Sequence, residues 1–252
     1  IPLSPAELAR CAAECLDAGA AMMHVHVRRP DGTHLLDADA YRAALDAIRA
    51  AVGDRLVVQI TSEALGVYTP EQQIAVVKAV RPQAASLALR EVAPDEAAEP
   101  AFLDLLGWME RERAAPQIIL YAPEEAARLA AMRDAGRLPW DDVPVLYVLG
   151  RYTPGQRSAP ADLLPFIEAG MPRFSHWSVC AFGQREAACV TAGALMGGHV
   201  RVGFENNLWL PDGSVATGNA ELVDTVAALV RGAGLKLADA DGLRAMWRIG
   251  AR

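Results

Sequence analysis

Short apolar runs recur along this chain, separated by helix-like segments, and that alternation limits the folds open to it more than any other feature. Runs of strand character stand at 21–27, 56–61, 84–89, 117–121, 145–149, 174–179 and 200–204. Between them, Ser4-Pro5-Ala6-Glu7 and Thr69-Pro70-Glu71-Gln72 carry helix-start boxes, and a stretch from about 39 to 51 places Tyr41, Leu45 and Ile48 at helical spacing. Strands joined through helices run parallel, in a sheet covered on both faces, either open and doubly wound or closed into a barrel. No Gly-x-Gly-x-x-Gly follows an early strand and no phosphate-binding Gly-x-x-x-x-Gly-Lys-Ser/Thr occurs. Several strands instead carry polar residues on one face: Gln59 and Thr61, Ser86, His176 and Ser178, Arg201 and Glu205. Polar strand ends have a purpose at the mouth of a barrel, where active sites form. The pattern predicts an α/β fold, an eight-stranded (β/α) TIM barrel with its first strand missing from this chain and residues 1–252 forming a single barrel domain.

Composition narrows the function. A net charge of −7, with no Lys/Arg cluster to override it, gives no general attraction for nucleic acid or anionic membranes. No apolar run is long enough to span a bilayer, and the first residues lack a signal-peptide pattern, so the expectation is a cytoplasmic protein acting on small molecules. Cys11, Cys15, Cys180 and Cys189 include no Cys-x-x-Cys pair and are expected as buried thiols.

The first apolar run contains His24 and His26. At a spacing of two in a strand, both imidazoles share one face. Two buried rings side by side are either hydrogen-bonded core histidines or ligands to a divalent metal. The last run alternates Arg201, Gly203 and Glu205 on one face with Val200, Val202 and Phe204 on the other. In an extended strand, Arg201 and Glu205 would lie roughly 13 Å apart and pair poorly. Barrel closure brings this last strand toward the first, so Glu205 is expected to complete a His-His-Glu site with an open position for water or substrate. Nitrogen and oxygen ligands without thiolate favour zinc, with iron, manganese or cobalt as other divalent choices.

The segments 19–28 with Pro30-Asp31-Gly32, Gln59-Ile60-Thr61-Ser62, and 197–208 together resemble the β-keto acid cleavage enzymes over nearly the whole chain. The resemblance implies a zinc-dependent (β/α) barrel, usually a homotetramer, that exchanges acyl groups between a β-keto acid and acetyl-CoA to give acetoacetate and a new acyl-CoA. It implies that His24, His26 and Glu205 are metal ligands and that Arg201 orients the neighbouring catalytic position, here Asn206. It also places substrate-binding hydroxyls at Thr61, Ser62 and Ser86. Arg151, Arg157 and Arg185 follow strand ends, where guanidinium groups can meet coenzyme A phosphates.

This chain departs from the family pattern at the base. The family has Glu-Asp-Asn where this chain has Glu205-Asn206-Asn207, and an amide cannot accept the substrate proton. The strand at 117–121 carries Ile118 and Ile119 where a glutamate is common. Glu63 and Glu91, each just past a strand end, are the replacement candidates, with Glu63 favoured because Glu63-Ala64 stands where the family has Gly-Gly. Two other functions stay open at this point: a zinc hydrolase or lyase using metal-bound water, and a non-catalytic keto-acid-binding protein. His176 is expected inside or at the mouth, and His34 and His199 as surface or capping groups. Leu208, Trp209 and Leu210 suit either a subunit contact or a local loop core.

Overall fold

The computed structural model describes residues 1–140 and 142–250. The box at Ser4 forms as expected, with Ser4 Oγ accepting the Glu7 N–H at 3.3 Å and Glu7 Oε2 accepting the Ser4 N–H at 2.9 Å. It opens helix α1 (Pro5–Ala18), which ends at Gly19 in the left-handed region. In chain order there follow β1 (Met22–Val25), a hairpin of β2 (Val27–Arg28) and β3 (His34–Leu35), α2 (Ala38–Val52), β4 (Val57–Thr61), α3 (Pro70–Val80) and β5 (Ala84–Ala88). The second box caps α3, with Thr69 and Gln72 in reciprocal contact. Then come α4 (Leu89–Val92), α5 (Glu99–Arg111), β6 (Ala115–Leu120), α6 (Pro123–Asp134), β7 (Val145–Leu149) and α7 (Leu164–Ile167). The chain continues through β8 (Trp177–Ala181), α8 (Glu186–Leu195), β9 (His199–Val200), α9 (Asn219–Gly232) and α10 (Ala240–Trp247).

The strands β1, β4, β5, β6, β7, β8 and β9 pair in that order, every pair parallel. This is the curled sheet of a (β/α) barrel, and the expected vacancy of one strand lies between β9 and β1, which are not hydrogen-bonded to each other. Most of the core lies between sheet and helices, built on residues such as Tyr41, Ile48, Phe102, Leu105 and Tyr147, each no more than 1% exposed. Inside the barrel, α10 closes the N-terminal end by packing Leu243 and Trp247 against Val57, Ala84 and Ala115. A second interior layer near the mouth contains Ala88, Ile119, Leu146, Val148, Cys180 and Phe182. The four cysteines are free and buried, as expected. Among the described residues no helix is long and apolar enough to cross a membrane.

Three expectations need correction. The run 21–27 is not one strand: β1 stops at Val25, and the chain re-enters extended structure as the β2–β3 hairpin around Pro30-Asp31-Gly32. The run 174–179 begins later, so His176 precedes β8 and sits at the N-terminal end of the barrel, away from the mouth. The last run is strand only at His199 and Val200. Gly203, at φ 150°, turns the chain, and its carbonyl accepts the Asn206 and Asn207 N–H groups. A Cβ there would meet Asn219 Oδ1 at 3.0 Å, the same atom that accepts the Phe204 N–H at 2.7 Å. That turn brings Arg201 Nη2 to 3.2 Å from Glu205 Oε1, a direct pairing that extended geometry had argued against.

Candidate active site

The C-terminal end of β1 and the turn after β9 face each other across the gap in the barrel, and the expected ligand set meets there. His24 Nε2 lies 3.1 Å from His26 Nε2. Glu205 Oε2 lies 3.2 Å from His26 Nε2 and 3.4 Å from His24 Nε2. Tetrahedral zinc with bonds of about 2.0–2.1 Å holds its ligand atoms about 3.3 Å apart, so these three atoms have the spacing of one face of such a site. Two imidazole nitrogens and a carboxylate oxygen form a donor set that would suit a divalent metal such as zinc.

Buried hydrogen bonds fix which His24 nitrogen is available. His24 Nδ1 donates to Gln59 Oε1 at 2.8 Å, because the Gln59 amide is itself oriented: its Nε2 donates to Gln117 Oε1 at 3.1 Å. Gln117 Nε2 in turn donates to Ser178 Oγ at 3.2 Å. This chain crosses the barrel interior through β4, β6 and β8 and leaves the His24 Nε2 lone pair directed at the ligand cluster. Burial pushes the His24 pKa down to about 3, so the ring is the neutral form a metal requires. Gln59 and Ser178 were legible as polar residues on an inward face. Gln117 was missed, although a polar residue set among the apolar residues of β6 is the same signal.

Burial works against the Glu205 charge, but Arg201, followed by the two imidazoles, outweighs it and holds the carboxyl well below the usual carboxylate range. Arg201 Nη2 also donates to Asn206 Oδ1 and to the Cys180 sulfur, each at 3.4 Å. The loop carrying Glu205 is anchored from below by Glu186, almost fully buried, which accepts the Gly203 N–H and an Asn207 Nδ2–H, each at 3.2 Å. Burial raises the Glu186 pKa to about 8. No sequence signal marked Glu186, since a glutamate opening a helix is ordinarily solvated.

The remaining predicted residues divide into two groups. Glu63 faces the cavity with its Oε2 3.6 Å from His26 Nδ1. Thr61, Ser62 and Ser86 lie behind it, no more than 2% exposed. Thr61 Oγ1 accepts the Glu63 N–H at 3.1 Å and the Ser86 hydroxyl at 3.4 Å, while Ser62 Oγ donates to the Ser86 carbonyl at 2.8 Å. Glu91 braces the same turn, accepting from Ala64 N at 2.9 Å and Gln73 Nε2 at 3.2 Å. Among the described residues lining the cavity, the carboxylates are Glu63 and Glu205. His34 is not a plain surface group, because its Nε2 donates to the Glu63 carbonyl at 2.7 Å.

The cavity encloses about 720 Å³ and has two parts. At the mouth it is lined by the ligand cluster, Glu63, Arg151 and Arg201. Below, it runs down the gap between β9 and β1 past Leu8, Met22, Val200 and Trp247. Arg151 stacks over Phe182, its guanidinium carbon 5.2 Å from the ring centre, and Tyr152 beside it is 63% exposed. Arg157 and Arg185 are exposed on adjoining loops. Those loops interlock at Gly183, φ 90°, where a Cβ would sit 2.5 Å from the Gln156 carbonyl oxygen.

Fold and site together define a parallel (β/α) barrel with a candidate His-His-Glu metal centre and a second carboxylate, Glu63, at its mouth. The family model for beta-keto acid cleavage enzyme matches residues 1–249, and the chain belongs to that family. It is 28% identical to the 3-keto-5-aminohexanoate cleavage enzyme of Acetoanaerobium sticklandii, over 92% of this chain and 85% of the relative. To the Fusobacterium nucleatum enzyme of the same name it is 29% identical, over 97% and 89%. A third relative, 3-oxoadipate:acetyl-CoA acetyltransferase of Cupriavidus necator, is 26% identical over 98% and 87%. In fold, the chain matches the apo structure of ObcA with a TM-score of 0.76 at 18% identity, covering 99% of this chain and 66% of that one. The chain thus spans about two thirds of the length of that structural neighbour. As a family member it is a carbon–carbon bond cleaving acyltransferase acting on β-keto acids.

Proposed function

We propose that the chain is a zinc-dependent enzyme converting a β-keto acid and acetyl-CoA into acetoacetate and an acyl-CoA. The observation that carries this reading is the convergence of His24 Nε2, His26 Nε2 and Glu205 Oε2 within 3.4 Å of one another, beside a second cavity carboxylate. Names of relatives that act with acetyl-CoA support the co-substrate. His24, His26 and Glu205 would hold the metal, which supplies a positive centre for the keto oxygen as charge develops on it.

The chain's own groups account for the proton. Asn206 cannot act as a base, Glu205 is a ligand and Glu91 is spent on bracing Ala64, so Glu63 takes the proton from the carbon between keto and carboxyl groups. The resulting carbanion attacks the acetyl thioester carbonyl and expels coenzyme A thiolate. The thiolate then attacks the original keto carbonyl, the bond between that carbon and its neighbour breaks, and acetoacetate leaves with the proton balance restored through Glu63. Arg201 keeps Glu205 and Asn206 in place. Thr61 and Ser86 order the turn that presents Glu63, and their hydroxyls with Ser62 stand in the substrate-binding positions of the family. Arg151, Arg157 and Arg185 offer cations at the rim for coenzyme A phosphates. Leu208 and Trp209, each at least 40% exposed, offer an apolar face for assembly into a homotetramer.

The test is to incubate zinc-loaded protein with a panel of β-keto acids, with and without acetyl-CoA, and follow acetoacetate and new acyl-CoA. Both products, dependent on acetyl-CoA and lost in Glu63→Gln, are expected. Product formed without acetyl-CoA would replace this reading with a hydrolase or lyase. Full turnover in Glu63→Gln would remove Glu63 as the base.

A further inference from the structure

The two imidazoles of the candidate centre are supported unequally. His24 has its outer nitrogen bonded to Gln59. His26 turns Nε2 toward Glu205, and its Nδ1 is buried with no hydrogen-bond partner. A neutral imidazole that offers Nε2 to a metal carries its proton on Nδ1, and a buried N–H without an acceptor is costly. The nearest carboxylate oxygen is Glu63 Oε2, at 3.6 Å.

Glu63 is not loosely placed there. Its N–H is held by Thr61 Oγ1 at 3.1 Å and its carbonyl by His34 Nε2 at 2.7 Å, so its backbone is fixed on both sides. The His34 ring packs edge-on against both His26 and Tyr68, each at 5.8 Å between centres. Thr61 and His34 thus hold the Glu63 backbone from two sides, and Tyr68 packs against the His34 ring that does so.

The geometry points to Glu63 as the outer carboxylate of His26, a positioning residue that accepts the Nδ1 proton through one oxygen and raises the ring's strength as a metal ligand. This rests on the metal reading above and adds to Glu63 a role separable from proton transfer, since its other oxygen stays open to substrate. His34 acts through Glu63, as the clamp on its carbonyl. The two candidate ligands thus differ in their outer partner, a carboxylate for His26 and an amide for His24.

Zinc competition with a chromophoric chelator tests this without turnover. Glu63→Gln, which keeps the size and removes the charge, is expected to weaken zinc binding by roughly 10- to 100-fold and to shift the visible bands of the cobalt-loaded protein. Glu63→Asp, charged but too short, should weaken it similarly, and His34→Phe by less. Nitrogen-15 spectra of the zinc-loaded wild type should show the His26 proton on Nδ1. Melting curves in chelator establish that each variant is folded. An unchanged zinc affinity in folded Glu63→Gln and Glu63→Asp overturns the inference, and if turnover alone is lost the base assignment survives it. A wild-type chain that takes up no divalent metal overturns both.

Discussion

Severing the buried amide chain at Gln117 is the perturbation that separates a designed ligand environment from incidental polar packing. Gln59, Gln117 and Ser178 are 1%, 4% and 4% exposed, so water cannot replace what a substitution removes. Gln117→Leu is close in volume and leaves the Gln59 Nε2 donor without its acceptor and Ser178 Oγ without its donor. One orphaned buried donor costs about 1–3 kcal/mol, and at about 2–4 °C per kcal/mol for a domain of this size the metal-free protein should melt roughly 2–12 °C lower. The second consequence is specific to the site. Freed from Gln117, the Gln59 amide can rotate and present its Nε2–H to His24 Nδ1, which drives the His24 proton onto the metal-facing nitrogen. Zinc binding should weaken by about tenfold or more. Gln117→Glu restores an acceptor for Gln59 and should recover most of that affinity. Differential scanning fluorimetry in chelator and zinc competition read the two effects independently. Wild-type melting together with wild-type zinc affinity in Gln117→Leu would refute the argument that this chain sets the tautomer.

Two further outcomes follow from the same geometry. Burial holds His24 near 3 against an ordinary value of 6.5, so between these pH values the unfolded chain takes up a proton that the folded chain refuses. Stability of the metal-free protein should therefore fall as pH drops from 6.5 toward 3, by at most about 1.4 kcal/mol per pH unit, and urea unfolding of His24→Phe should show that part of the slope gone. Asn206→Asp places a carboxylate beside Arg201 Nη2, now 3.4 Å from the amide oxygen. Steady-state kinetics should then show a higher kcat, a higher KM for the keto acid, and turnover that survives a second substitution, Glu63→Gln.

What was legible in the sequence was local or periodic. The boxes at Ser4 and Thr69 bond within one helical turn, so residue identity alone specifies them. The parallel sheet followed from apolar runs too short for helices, separated by helical periods. His24 and His26 converge because a spacing of two survives even though β1 stops between them, at Val25. The errors came from extending that periodicity past its end. Arg201, Gly203 and Glu205 alternate like a strand, but the backbone turns at Gly203, and residues predicted far apart pair at 3.2 Å. Gly203 was the available warning, since an isolated glycine within a strand pattern often marks a departure from regular pairing. The roles of Gln117, Glu186 and His34 depend on contacts 29, 58 or 61 residues away, or on a loop that closes over them, and no local spacing encodes those.

On the proposed reading, the charges at the mouth let the proton-accepting carboxylate stand at Glu63 without dismantling the site. Glu63 lies against His26 and Glu205 against both His24 and His26, and Arg201 bonds to Glu205. With both histidines neutral as metal ligands, two carboxylates against one guanidinium leave the cluster one unit negative, a balance that favours a cation over an empty cluster. A divalent ion reverses the sign to one unit positive, and a single substrate carboxylate then neutralises it. A carboxylate at position 206 in addition to Glu63 would cancel that surplus before substrate arrived. On that reading the amide at Asn206 and the glutamate at 63 form a coupled pair: an acidic group at the end of β4, in place of one after the last strand, keeps the charge that would draw an anionic keto acid and would supply a base from the opposite side of His26.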